Sequence, residues 1–222
     1  MTRENKLNQD ICDLLKTTQK DLSDLKENLL KDLNEKDAPG LKRLEAFISY
    51  ALLCFNCDFE KELDLILLNC RKLLELLIIL DWINQKNNID DFNNYSKQDF
   101  EEFGISMLKI SEGITKNNPS QEKYTNEMRA SLEQKFKIQQ IPSVKIKKMP
   151  PLKNIISDPD LLDEYNSLYK ITSKILHTTV FSIYMLDRLK MEELRRIIII
   201  KTVQYVEGTI YLSNILREKF KK

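Results

Sequence analysis

Helix-breaking residues are scarce in this chain, and their scarcity restricts the folds open to it. The 222 residues include 4 glycines and 6 prolines, whereas 31% are charged and 42% are hydrophobic. Average proteins contain about 7% glycine and about 5% proline, the two residues least compatible with a helix interior. The composition therefore predicts an all-α protein. It excludes the collagen-like, disulfide-scaffold and wholly disordered classes.

The composition also limits the chemistry. The chain contains no Walker loop, dinucleotide-binding fingerprint or serine-hydrolase elbow, and its few glycines disfavour a glycine-dependent phosphate loop. A single histidine excludes the many metal and proton-transfer sites that need two or three. The formal net charge is +1, so any site for a polyanion has to be a local patch.

The N-terminal segment predicts one long amphipathic helix over residues 5–37, which Asp37-Ala-Pro-Gly40 ends. Its apolar stripe recurs at spacings of three and four residues. The stripe consists of Leu7, Ile11, Leu15, Thr18, Leu22, Leu25, Leu29 and Leu33. Two interpretations stay open: the stripe packs on the protein's own bundle, or it builds a homodimer or binds a protein partner.

Four more long helices are predicted, over residues 41–57, 59–86, 161–189 and 192–219. Residues 59–86 are apolar nearly all round, which is typical of the buried central helix of a bundle. Residues 87–140 look like an insertion, with shorter helices predicted over 98–113 and 125–140. Residues 141–160 hold four of the six prolines and form a non-helical, Pro/Lys-rich connection. We therefore expect one domain over residues 1–222, an all-α helical bundle with a buried central helix.

No segment has the features of a secreted or membrane protein. The N-terminal residues MTRENKLNQD lack an apolar signal region, and LLELLIIL at 73–80 is too short to span a bilayer. Cys54 and Cys57 form a CxxC pair inside an apolar helical run, and Cys12 and Cys70 complete the set. We interpret all four as reduced thiols rather than zinc ligands. The prediction is a cytoplasmic protein with no membrane association, no metal and no cofactor.

A charged pair in the apolar helix 59–86 is the first candidate site. Arg71 and Glu75 lie one helical turn apart and share a face. Charges on an otherwise apolar helix must be paired or must line a polar pocket. The pair is therefore either a structural ion pair or the wall of a functional pocket.

The second candidate lies in the helix 161–189. Three- and four-residue steps place polar side chains on one stripe, whereas Leu168, Ile171 and Ile175 fall elsewhere. The stripe contains Tyr165, Tyr169, Thr172, Ser173, His177, Val180 and Tyr184. An imidazole titrates near neutral pH and serves as an acid, a base or a donor. The stripe is either a functional face or part of a satisfied core.

A run of lysines precedes this helix. Between Glu133 and Asp158 there are six lysines and no acid, among them Lys145, Lys147 and Lys148. These cations either contact the phosphates of a nucleic acid or belong to a solvated loop.

The two helices together resemble a family of uncharacterised, mostly bacterial helical proteins. In that family an Arg-x3-Glu helix is followed by a Met-Pro stretch and then by a Tyr-x3-Tyr-x3-Ser-x3-His helix. The matching residues here are Arg71 to Glu75, Met149 to Leu152, and Tyr165 to His177. The resemblance covers about residues 45–210, with 87–140 poorly matched. The family has no settled biochemical function, so the resemblance implies little beyond the helical fold.

The architecture is also similar to HEPN domains, helical bundles often found in prokaryotic toxins and antiphage systems. This resemblance implies a link to nucleic-acid metabolism or defence, with RNA or a nucleotide as the ligand. Active HEPN ribonucleases carry an Arg shortly before a His, whereas Lys170 stands in that place before His177. A lysine lacks the bidentate fork of arginine.

Metal-independent RNA cleavage would use His177 as the acid/base or phosphate donor, Arg71 as the oxyanion stabiliser and Glu75 to orient it. The supporting donors would be Tyr165, Tyr169 and Ser173. Two alternatives remain. The same residues form a buried network in a non-catalytic interaction module, or they line the pocket of a small-ligand sensor.

Overall fold

The computed structural model describes residues 3–35, 38–56, 63–86, 150–176 and 191–221, together with a few short stretches between 106 and 134. Helices account for 94% of these residues, and no strand occurs among them. The prediction of an all-α bundle is therefore confirmed. The physical reason is local, since glycine and proline, the residues that most destabilise a helix interior, are rare in this chain.

Six helices are defined within the described parts of the chain. They are α1 (Arg3–Glu35), α2 (Pro39–Phe55), α3 (Leu63–Lys86), α4 (Leu152–Ile155), α5 (Pro159–Leu176) and α6 (Met191–Phe220). Among them, none combines the length and the apolar character that a membrane span requires.

Helix α1 packs against α2 and α6. The stripe expected from the sequence forms this contact, since Ile11, Thr18, Leu22, Leu25 and Leu29 are all buried. The first of the two interpretations, packing on the protein's own bundle, accounts for these residues. The homodimer stays a prediction.

Helix α3 occupies the centre of the bundle, as its apolar sequence predicts. It contacts α2, α4, α5 and α6, and its longest interface is with α6. The two helices approach closely at Gly208, where a Cβ atom would lie 2.9 Å from Cδ1 of Leu77. Because glycine has no side chain, α6 can approach α3 more closely here than it could with any other residue at this position.

The connection before α5 contains one element that the sequence did not predict. Residues 141–160 were expected to be non-helical, but α4 forms a single turn over Leu152–Ile155 directly after Pro151. Helix α5 then begins at Pro159, where Oδ1 of Asp158 accepts a hydrogen bond of 2.9 Å from the backbone N–H of Asp160. Proline in the first turn and a side-chain cap both favour this start.

The chain divides into two compact units. One comprises Met1–Asn87 and Pro151–Lys222 and holds all six helices, and the other comprises Asn88–Pro150. The short helices expected over 98–113 and 125–140 fall mostly outside the described residues. The prediction of one domain over residues 1–222 stays a prediction.

Candidate functional site

The charged pair of α3 lies at a partly exposed edge of this otherwise buried helix. Nε of Arg71 donates a hydrogen bond of 2.9 Å to Oε1 of Glu75, one turn further along. The two side chains retain 25% and 27% of their exposure. An i, i+4 pair of this kind contributes about 0.2–0.5 kcal/mol to a helix. The pair is thus neither fully buried nor fully solvated, which leaves it open to a ligand.

Two tyrosines of α5 face this pair. The guanidinium carbon of Arg71 lies 4.3 Å from the centroid of the Tyr169 ring, a cation–π contact. The ring centroids of Tyr165 and Tyr169 are 6.2 Å apart, with their planes tilted by 41°. Tyr169 is 46% exposed. We call Arg71, Glu75, Tyr165 and Tyr169 the Arg71 cluster, and the structure brings together four of the residues that the sequence singled out.

The Arg71 cluster has unused hydrogen-bonding capacity. Within the described part of the chain, the bond to Glu75 is the one hydrogen bond that the Arg71 side chain makes, so its terminal nitrogens have no protein acceptor there. The phenol oxygens of Tyr165 and Tyr169 likewise form no hydrogen bond with a described residue. The cluster therefore offers donors and acceptors to a ligand rather than to the fold.

The environment of the cluster keeps the phenol of Tyr165 protonated. Burial raises the pKa of Tyr165, the charge of Glu75 raises it further, and Arg71 opposes both. Tyr50 of α2 is part of the same surroundings: burial raises its pKa to about 12, and Cys54 and Glu75 add to the effect. Sequence reasoning missed Tyr50, because a single tyrosine within the apolar sequence of α2 does not by itself indicate a site. Both phenols are neutral hydrogen-bond donors at neutral pH.

The other predicted residues of α5 are placed less uniformly. Ser173 is half-buried and Lys170 is exposed on the surface of α5. Thr172 was expected on the polar stripe, apart from Leu168 and Ile175, but all three are buried together. The hydroxyl of Thr172 donates to the backbone oxygen of Leu168 at 2.6 Å. The predicted stripe was therefore wrong at Thr172, which belongs to the core face of α5.

Four predicted site residues lie outside the described residues. They are His177 and the lysines Lys145, Lys147 and Lys148. Their assigned roles stay predictions.

A second polar network, which sequence reasoning missed, joins α5 to α6. Oε1 of Glu164 accepts a hydrogen bond of 2.8 Å from the hydroxyl of Tyr205 and forms a 2.5 Å ion pair with Lys201. Tyr205 is buried and Lys201 is half-buried. Since Glu164 directly precedes Tyr165 in α5, this network fixes the segment of α5 that presents its tyrosines to Arg71.

The cysteines form no metal site in the described structure. Cys12 is exposed, Cys54 and Cys70 are buried, and none of the three belongs to a disulfide. Cys57 lies outside the described residues. Within those residues, no group of three or more His, Cys, Asp or Glu side chains is placed to hold a metal ion.

Comparison with known proteins identifies a family but no activity. The sequence profile of a family of unknown function, DUF5677, matches residues 63–193, which is more than half of the chain and includes the Arg71 cluster. No curated protein and no solved structure matches the chain. The resemblance to an uncharacterised family is thereby confirmed, whereas bacterial origin and likeness to HEPN domains stay predictions. The chain belongs to the DUF5677 family of unknown function.

Proposed function

We propose that this protein binds single-stranded RNA or nucleotides through the Arg71 cluster and acts in prokaryotic nucleic-acid metabolism or defence, as a HEPN-like protein. The observation that supports the proposal best is the position of the Arg71 guanidinium. Its central carbon lies 4.3 Å from the Tyr169 ring centroid, and only its Nε is engaged by a described residue, Glu75. Its terminal nitrogens and a half-exposed aromatic ring are thus presented together.

This combination suits unpaired nucleotides. Bases in single strands stack on aromatic rings and on guanidinium planes, and each stacked base is worth about 1–3 kcal/mol. The phenol hydroxyls of Tyr165 and Tyr169 add hydrogen-bonding groups at the same place. The arrangement binds a planar, polar ligand better than it binds a purely apolar one.

Catalysis would require His177 beside the bound strand. In a metal-independent reaction the 2′-hydroxyl oxygen bonds to the adjacent phosphorus, its proton passes to His177, and the bond from phosphorus to the 5′ oxygen breaks. The 5′ oxygen takes a proton from water, and the hydroxide that is left takes back the proton that His177 accepted. The products would carry a 2′,3′-cyclic phosphate and a 5′-hydroxyl.

The binding proposal is tested with Arg71→Ala. We expect the variant to lose about ten-fold or more in affinity for a short, fluorescently labelled RNA of mixed sequence, since a lost stack and its hydrogen bonds amount to 1.4 kcal/mol or more. Arg43→Ala on α2 is the matched control, because it removes the same charge from a half-buried arginine outside the cluster. Fluorescence anisotropy measures the affinity. Equal affinity in the two variants would overturn the proposal.

The rival function is a non-catalytic interaction module. One observation favours it: the Arg71–Tyr169 contact joins α3 to α5, so the cluster also holds the bundle together. In that case Arg71→Ala and His177→Ala would lower the melting temperature by several degrees, and the wild-type protein would bind no RNA. If the protein is a nuclease, His177→Ala keeps its stability and loses cleavage of RNA in EDTA.

A further inference from the structure

The charge of the Arg71 cluster argues against a phosphate as the group that Arg71 contacts. Glu75 forms a hydrogen-bonded ion pair with Arg71 at 2.9 Å, so the pair is neutral as a whole. A phosphate brought to the guanidinium would also face the carboxylate and be repelled by it. A neutral ligand that presents an acceptor to Arg71 and a donor to Glu75, side by side, avoids this repulsion.

The two side chains define the edge of such a ligand. The Arg71 side chain only donates, and the ionised carboxylate of Glu75 only accepts, with lone pairs on both oxygens beyond the one that Arg71 uses. Oε2 of Glu75 forms no hydrogen bond with any residue in the described parts of the chain, and the terminal nitrogens of Arg71 are equally open. An edge that carries an acceptor beside two adjacent donors complements this pair, with the acceptor at Arg71 and the donors at the carboxylate of Glu75.

Guanine is the common base with that edge. Its O6 accepts, and the neighbouring N1–H and N2–H groups both donate, whereas adenine, cytosine and uracil each offer a single donor group next to their acceptors. A base whose edge meets Arg71 and Glu75 would lie beside the guanidinium, which is over the Tyr169 ring. The ring of Tyr165, whose centroid is 6.2 Å from that of Tyr169, offers a second aromatic surface nearby.

We propose that the Arg71 cluster reads the Watson–Crick edge of guanine, with Arg71 donating to O6, Glu75 accepting from N1–H and N2–H, and the tyrosines stacking on the base. The inference rests on the proposed function and gives its ligand a chemical identity. The guanine belongs either to an RNA strand or to a free nucleotide, and the test separates the two.

The test measures the affinity of the wild-type protein for four short oligouridines that differ only at a central base: guanine, adenine, cytosine or uracil. We expect about ten-fold tighter binding of the guanine strand, since a good bidentate contact discriminates by that order. Inosine, which lacks the N2 amino group, should lose most of this preference, and 7-deazaguanine should keep it. Competition by GMP at comparable concentration indicates a free nucleotide, and its failure indicates RNA.

Glu75→Gln examines the contact from the protein side. The amide replaces one acceptor oxygen by a donor, so we expect the guanine strand to bind no better than the adenine strand. Glu207→Gln, on the exposed face of α6, makes the same chemical change outside the cluster and should keep the wild-type preference. Melting temperatures of both variants check that the fold is intact.

The outcomes separate the two proposals. If Arg71→Ala weakens all four strands and the wild-type protein binds them equally, RNA binding stands and guanine recognition is overturned. Inosine binding as well as guanine, or loss of binding with 7-deazaguanine, also overturns it. If no strand and no nucleotide binds, the proposed function falls and this inference falls with it.

Discussion

Burial decides how individual polar side chains of this protein behave. Cys70 lies in the centre of α3 with no exposed surface, and burial raises the pKa of its thiol to about 12. Its neighbour in the sequence, Arg71, keeps a quarter of its side chain exposed. One residue position thus separates an inert core thiol from a polar group that is open to a ligand.

Cys70 should resist alkylation in the folded protein. The thiolate is the reactive form, and a pKa of about 12 leaves about one thiol in ten thousand ionised at pH 8. We expect iodoacetamide to modify the exposed Cys12 and to spare Cys70 until the protein is unfolded. Mass spectrometry of the digested protein identifies the labelled sites. Labelling of native Cys70 at the rate of Cys12 would contradict its burial.

A buried hydroxyl on α6 offers a second residue-scale prediction. Oγ1 of Thr209 is fully buried and has no hydrogen-bond partner among the described residues, whereas Oγ1 of Thr202 donates to the backbone oxygen of Ile198 at 2.7 Å. A buried polar group without a partner costs about 1–3 kcal/mol. We therefore expect Thr209→Val to raise the free energy of unfolding by about 1 kcal/mol.

Thr202→Val is the control for this substitution, because it removes the same atom from a bonded hydroxyl. It should leave the free energy of unfolding unchanged or lower it. Urea denaturation measures both variants. A stability loss in Thr209→Val as large as that in Thr202→Val would show that the Thr209 hydroxyl stabilises the fold.

At the scale of the helices, α1 and α6 are joined by an ion pair as well as by their apolar stripes. Asp32 of α1 is 9% exposed and accepts hydrogen bonds from Arg217 through both oxygens, and Nζ of Lys221 lies 3.1 Å from Oδ2. The hydrogen bond from Arg217 is the main cause of a lowered pKa at Asp32; burial opposes it and Lys221 reinforces it.

This lowered pKa makes the α1–α6 contact dependent on pH. A carboxyl whose pKa is lower in the folded state stabilises the fold above its ordinary pKa of 3.8, and the contribution is lost as the pH falls through the folded value. We expect Asp32→Asn to cost about 1.5–3 kcal/mol at pH 7, the range for hydrogen bonds to charged groups. The difference from wild type should shrink below about pH 4.

Asp24→Asn is the matched control, since Asp24 is an exposed carboxylate of the same helix. Thermal or urea unfolding at several pH values measures the three proteins. A wild-type advantage over Asp32→Asn that persists unchanged at pH 2–3 would mean that the charge of Asp32 contributes nothing.

For the whole molecule, the net charge is close to zero, so any electrostatic attraction to a polyanion has to come from local patches. The formal charge is +1, with 35 basic and 34 acidic residues. If Lys145, Lys147 and Lys148 contact phosphates, replacing all three by glutamine should reduce the slope of log Kd against log salt by about 2, since each contact to a single strand contributes about 0.7.

The control for the lysine substitutions comes from α1. Lys16, Lys20 and Lys31 are exposed there, and replacing them by glutamine removes the same total charge. This variant should keep the wild-type slope. Equal slopes in both triple variants would assign the salt dependence to the net charge and eliminate the lysine run as a phosphate site.

Sequence reasoning located the helices and part of the candidate site. The stripe of α1, the central place of α3 and the grouping of Arg71 with Tyr165 and Tyr169 were all predicted. The first two follow from the spacing or the apolar content of a single helix, because a periodicity of 3.6 residues determines which side chains share a face. The grouping of Arg71 with the two tyrosines joins α3 to α5, and the sequence offered it only as a hypothesis about one shared site. The same rule failed at Thr172. Spacing shows which residues share a helix face, but it does not show how far the buried part of the helix extends around its circumference.

The sequence by itself determined that this chain is helical and which faces are apolar, because propensity and periodicity are properties of neighbouring residues. Only the tertiary structure decided that Tyr50 lies near Glu75, that Glu164 meets Tyr205 and Lys201, and that Asp32 meets Arg217. Each of these contacts joins residues of different helices. Their partners depend on which helices become neighbours when the apolar faces are buried together, and no local pattern encodes that choice.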